Sequence, residues 1–174
     1  MRFTVTGEQR QNPFLRTVIY LFLAYIFLHW ISNGAMFFHS MAFSYDAVVE
    51  YYRGNPAEFR QPRSYASMLE VTHTHLFAMG ILVLTLVHLM LFAPLTTALK
   101  QIGIWVPFTF AVGNEAAGWL VRFAAPEFAY LKLATFVGLE LSLLAVMAVI
   151  LWALWTQQPH AYRRGARAAP FPSS

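Results

Sequence analysis

Four long apolar runs, residues 14–31, 76–95, 101–121 and 128–155, are interrupted by almost no charge. A helix that crosses the hydrocarbon core of a bilayer needs about 20 mostly apolar residues at about 1.5 Å rise each. Each run is close to that length, which constrains the fold more than any other property of the chain. Composition agrees: 58% of the 174 residues are hydrophobic and 11% are charged, less than half the roughly 25% charge of a soluble domain. Disordered, collagen-like and secreted disulfide-framework classes are excluded, and a soluble fold is disfavoured. The chain has no cysteine. Disulfides, a thiolate nucleophile, Cys-ligated zinc, iron–sulfur clusters and c-type haem attachment are therefore excluded as well.

The runs predict an all-α, integral membrane four-helix bundle with spans over about 13–38, 67–92, 102–123 and 128–155. Residues 1–158 form its single domain, followed by a basic, mobile tail over 159–174. Pro13 suits a first helical turn, where a missing N–H costs nothing. Ala93-Pro94 stops the second span, Pro126 breaks the chain before the fourth, and Pro107 is expected to kink the third. The first span is too long for a cleaved signal peptide, and its end at Trp30-Ile31-Ser32-Asn33 lacks a small-residue cleavage site.

An even number of spans puts both termini on one side. The termini and the loop between the second and third spans carry Arg2, Arg10, Arg16, Lys100, Arg163, Arg164 and Arg167. The other face carries Arg53, Arg60, Arg63, Arg122 and Lys132, offset by Asp46, Glu50, Glu58, Glu70 and Glu127. Cytoplasmic loops hold the excess of Lys and Arg, so both termini are expected in the cytoplasm of a bacterial inner membrane, with the 40–66 loop periplasmic. The net charge of +4 is then a topology signal, and nucleic acid is not an expected partner. Within the loop, residues 42–53 predict a short amphipathic helix on the membrane surface. Gly54-Asn55-Pro56 marks a turn after it.

Ionisable groups inside a span are costly, and each is a functional hypothesis. They are His29 in the first span, His73, His75 and His88 in the second, Glu115 in the third and Glu140 in the fourth. By helical rise His29, His75 and Glu115 lie about 12–14 Å below the outer boundary. His73 lies about a turn higher, His39 sits at the outer mouth, Glu140 is near the midplane and His88 is near the inner interface. At about 100° per residue, His73 and His75 point about 200° apart and cannot both face one site.

Three chemistries fit these residues. Haem b needs one inward imidazole from each of two facing helices. Here His29 with His73 or His75 meets the depth requirement, and a second haem through His88 lacks a partner other than His160. A copper, zinc or iron centre would draw on His39, His73, His75 and Glu115, with Glu70 nearby. A proton or quinone path would use Glu115 and Glu140. Against all three stands the plain structural reading, in which each histidine hydrogen-bonds a neighbouring helix or snorkels, and the Phe and Met residues pack.

The stretch Thr72-His73-Thr74-His75-Leu76-Phe77-Ala78-Met79-Gly80 resembles helices of haem–copper oxidase and nitric oxide reductase relatives, and of small membrane proteins encoded near respiratory genes. Glu50-Tyr51-Tyr52-Arg53-Gly54-Asn55, followed by Leu69-Glu70-Val71-Thr72-His73-Thr74-His75, is similar to small four-helix membrane proteins of proteobacteria, a likeness that covers residues 45–92. What the resemblance implies is a setting, a bacterial respiratory or photosynthetic electron-transfer membrane; oxygen or nitric oxide reduction is not carried over with it. The expectation is therefore a b-cytochrome-like electron-transfer or quinol-handling subunit, with other membrane subunits or a periplasmic electron carrier as partners. The alternatives are an accessory subunit that packs on a larger complex and a non-haem metal site.

Overall fold

The structure is a computed structural model that describes residues 13–156. Arg2, Glu8, Arg10, His160, Arg163, Arg164, Arg167 and the 159–174 tail lie outside the described residues. Five helices form: α1 (Pro13–Met41), α2 (Tyr45–Arg53), α3 (Tyr65–Met90), α4 (Thr97–Phe123) and α5 (Phe128–Thr156). Their ends follow local chemistry. Pro13 opens α1 as expected. The Ser44 hydroxyl accepts from the Ala47 N–H at 3.2 Å, the Ser64 hydroxyl from Ser67 at 3.1 Å and the Thr96 hydroxyl from Leu99 at 3.4 Å, each satisfying a donor at a helix start. Thr96 explains why α4 begins five residues before the expected position 102. Helix α4 runs on through Pro107, which is buried within it.

The segment 42–53 forms a short helix over Tyr45–Arg53 as expected, with its apolar face packed on the bundle. Val48 is fully buried and Tyr52, one turn on, nearly so, and α2 contacts α1, α4 and α5. The spans differ from the expectation. Three helices, α1, α3 and α5, are long and apolar enough to cross a membrane. Helix α4 has the length, at 27 residues, but Gly103, Pro107, Gly113, Asn114, Glu115 and Gly118 dilute its apolarity.

Burial divides the bundle into two cores. One, at the end of the α3–α4 turn, is built from Leu23 and Ile26 of α1, Val83, Leu86, Val87 and Met90 of α3, and Leu139, Leu143, Val146, Met147 and Ile150 of α5. The other lies under α2 and joins Phe37, Met41, Val48, Tyr52, Met68, Val121, Ala129 and Phe136. The polar residues considered below adjoin the second core.

Helix α1 is peripheral. Only 11% of its most apolar window is buried, against 33% for α5. Besides the core of Leu23 and Ile26, it is fastened to α5 where Phe37 stacks on Phe136 with ring centroids 3.7 Å apart, the Trp30 indole N–H donates to the Glu140 carbonyl at 3.0 Å, and the Asn33 amide donates to Glu140 Oε1 at 2.5 Å. Glu140 is thus engaged within the chain. A tight corner leads from α1 into α2, with Ala42 and Phe43 both in the left-handed region at φ 44° and 49°. Non-glycine residues rarely adopt that conformation, which costs about 1–2 kcal/mol per residue; the buried face of α2 offsets it.

Tyr52 reaches its place because residue 118 has no side chain. A Cβ at Gly118 would stand 2.8 Å from the Tyr52 hydroxyl oxygen. Gly118→Ala is expected to displace Tyr52 and α2 and to cost about 1–3 kcal/mol, the usual range for overpacking. Equilibrium unfolding in detergent, together with faster proteolysis within residues 54–63, measures it; unchanged stability and cleavage would show that Tyr52 adjusts freely.

Candidate functional site

At the α2 end of the bundle, α1, α3, α4 and α5 border an open cavity of about 140 Å³, close to the roughly 150 Å³ that holds a single benzene ring. Its polar lining comes from every element: Asn33 and Ser40 of α1, Tyr51 and Tyr52 of α2, Arg63, Thr72 and His75 of α3 and its approach, Asn114 and Glu115 of α4, and Lys132 of α5.

Glu115 is the hub. His75 Nδ1 lies 2.9 Å from Glu115 Oε1, and the Thr72 hydroxyl donates to Oε2 at 3.4 Å. The Trp119 indole N–H in turn donates to the Thr72 hydroxyl at 2.8 Å. Both carboxylate oxygens are therefore held across the α3–α4 interface by residues three apart on α3, while Trp119, four after Glu115 on α4, fixes Thr72. Such spacings place side chains on one helix face. With Nδ1 on the carboxylate, His75 keeps Nε2 for another partner. Its side chain is 54% exposed against 14% for Glu115, so the pair leads from the wall of the cavity to its rim.

Lys132 is 5% exposed, and its ammonium donates to the Asn114 carbonyl at 3.0 Å. Gly113 of α4 lies beside Thr135 of α5, so Asn114 stands about half a turn further into the bundle than Lys132. The side chain therefore leans inward, where a lysine near a helix end ordinarily snorkels out to the interface. No ion pair within 4.0 Å joins Lys132 to Glu115; the two charges face the same cavity separately. Asn114 Oδ1, beside them, is buried without a hydrogen-bond partner. Such an atom carries the full desolvation penalty unless a donor reaches it.

Helix α2 supplies the roof. Burial, with Tyr51 and Glu115 adding to it, holds the Tyr52 phenol well above its ordinary range, so its hydroxyl stays protonated at any physiological pH. The Arg63 guanidinium lies over the Tyr51 ring at 4.4 Å, and Arg122 Nε donates to the Arg63 carbonyl at 2.7 Å.

The residues singled out in the sequence are placed unequally. His75 and Glu115, expected at one depth, meet. His73 is on an exposed face, as the 200° separation from His75 requires, and His29, His39 and His88 are exposed too. Because α1 runs on to Met41, His29 lies about 18 Å from that end, deeper than expected, and it does not line the cavity. The cavity thus holds one imidazole where a bis-histidine haem needs two. Among the described residues no group of three His, Asp or Glu side chains comes together as a metal site; His39, His73, His75 and Glu115 are not assembled as one. Glu140 touches the cavity only through Asn33. Sequence reasoning passed over Lys132, Asn114, Thr72, Trp119 and Tyr52. Gly118 and the adjoining Asn114-Glu115 in an apolar run were the signals available for the α4 part.

A family model described as a transmembrane helical domain matches residues 42–161, which takes in α2 to α5 and most of the cavity. The chain belongs to this family, Aq_1264_TM. It is a membrane protein. Helix α1 precedes the matched region, in keeping with its peripheral packing. No curated protein and no solved structure matches the chain, and the comparisons show no likeness to haem–copper oxidases.

Thr72→Val is expected to leave the Trp119 indole N–H and one oxygen of Glu115 without their partner, at a cost of about 1–3 kcal/mol, whereas Thr72→Ser keeps both bonds. Thermal unfolding of the two variants, with tryptophan emission as the probe, should separate them; equal loss in both would assign the effect to packing of the threonine methyl.

Proposed function

We propose that this protein is a quinol-handling subunit of a bacterial electron-transfer membrane and that the cavity holds the quinol headgroup. In this reading α4 crosses the bilayer with α1, α3 and α5, and α2 covers the periplasmic side. The observation that carries it is the pairing of an inward-reaching Lys132 with a partnerless Asn114 Oδ1 beside the Glu115–His75 pair. A hydroquinone hydroxyl accepts from one group and donates to another. Lys132 offers the donor and Asn114 Oδ1 the acceptor, side by side. A quinone carbonyl satisfies only the first, so the site favours the reduced ligand.

The chemistry then follows from the same groups. Oxidation of a hydroquinone releases two protons and two electrons. Glu115, with both oxygens already held, accepts the two hydroxyl protons one after the other, and His75 passes each to water at the rim through its free Nε2. Fixed donors and acceptors in low dielectric do this with little reorganisation. The electrons pass to a redox centre in a partner subunit or a periplasmic carrier, since no side chain lining the cavity is a two-electron acceptor.

The test is a binding titration of a benzoquinol analogue against the full chain in lipid nanodiscs, read by quenching of tryptophan emission. Lys132→Met and Asn114→Leu should each weaken binding by tenfold or more, which corresponds to at least about 1.4 kcal/mol. Glu115→Gln should leave binding within a few fold while abolishing proton release on oxidation. Equal affinity of the wild type and Lys132→Met, or no binding by the wild type, would sink the reading and leave an accessory subunit whose polar residues hold helices together.

A further inference from the structure

We propose that the cavity is loaded from the hydrocarbon phase through the gap between α1 and α3, so that its ligand is an amphiphile whose apolar tail lies in that gap. This rests on the headgroup reading above and names its route and the tail it requires. Residues of both helices line the cavity, Met36 and Ser40 from α1 and Val71 and His75 from α3. Leu23 and Ile26 of α1 share the first core with α3, but α1 packs more on α2 and α5 than on α3. At the cavity end the two antiparallel helices border one opening with Met36 and Val71 both exposed, which leaves a lateral slot. The slot has an apolar rim: Met36 is 72% exposed and Val71 43%, and in a bilayer that exposure is to acyl chains. His75 stands in the same opening, bonded to Glu115 on its cavity side.

The opposite approach, from water, is roofed. Val48 and Tyr52 of α2 are buried on the bundle, and the chain after α2 is tied down by the Arg63 N–H donating to the Tyr52 carbonyl at 3.1 Å and by Arg122 holding the Arg63 carbonyl. A headgroup arriving from water would have to lift α2 and break these contacts. One arriving from lipid displaces only acyl chains. The polarity gradient points the same way, from the apolar rim at Met36 and Val71 past His75 to Glu115, Lys132 and Asn114 at the far wall. A ligand with an apolar tail and a hydrogen-bonding head is oriented by that gradient.

Two measurements test it, both on the full chain in nanodiscs. In the first, a decyl-tailed benzoquinol and the same headgroup without a tail are titrated into the wild type and into Val71→Trp and Met36→Trp, which fill the slot at exposed positions. The tailed ligand is expected to bind the wild type at least tenfold more tightly than the tailless one and to lose at least tenfold in either variant, with the tailless ligand losing severalfold less. Equal affinity for the two ligands in the wild type, or equal loss of both in the variants, would overturn the route. The second needs no variant: a quinol whose tail carries a photoreactive diazirine should label α1 and α3 residues around Met36, Ser40 and Val71, and excess tailless quinol should suppress the labelling. Labelling within α2 or residues 54–63 instead would overturn the route while leaving the headgroup site standing. No suppressible labelling, with no binding of either ligand, would overturn both.

Discussion

The buried ammonium of Lys132 is the constraint around which the α2 end of this bundle is organised. A charge removed from water inside a membrane protein must find oxygen atoms or remain unpaid for by several kcal/mol. The nearest escape for a lysine one turn into a helix is outward to the interface. Here the side chain leans inward to the Asn114 carbonyl, with the Tyr52 ring 5.9 Å from the ammonium. That places a positive charge at the wall of the cavity that also holds a carboxylate whose two oxygens are bonded by His75 and Thr72. The roof, the inward lysine and the held carboxylate thus meet at one place: a side chain at position 118 would take the room of Tyr52, whose ring lies beside the ammonium.

What the sequence shows and what it conceals follow from this arrangement. The apolar runs announce helices of membrane-crossing length, and depth counted by helical rise brings His75 and Glu115 to one level, where they meet. Counting along single helices cannot say which faces meet, and that is why His29 reads as a partner for His75 although α1 packs on α5 and leaves His29 exposed. Lys132 is hidden for a different reason. Its position near a helix end reads as an interfacial charge, and only tertiary structure reveals that its long side chain runs the other way. Thr72 and Trp119 carry no charge to draw notice, yet they fix the second oxygen of Glu115. The capping threonine at 96 was visible in principle, but the apolar run beginning at 101 masked it.

Helix α4 brings these points together. Its lower apolarity excludes it from the helices that can cross a membrane by composition alone, and that deficit comes from the residues that build the site and its surroundings. Glu115 and Asn114 line the cavity, Gly118 makes room for the roof, and Gly113 stands where an added Cβ would lie 3.3 Å from Thr135 of α5. Small and polar residues let helices approach closely and hydrogen-bond one another where lipid offers no hydrophobic drive to associate. They face α3 and α5 here, with Ala117, Gly118 and Val121 buried, while Val112 and Trp105 face outward. A helix whose polar residues are mostly covered by neighbours exposes a more apolar side than its mean hydropathy suggests. The low apolarity of α4 and the existence of the cavity are therefore one property: the helix gives up hydropathy on the face where the bundle keeps its polar groups.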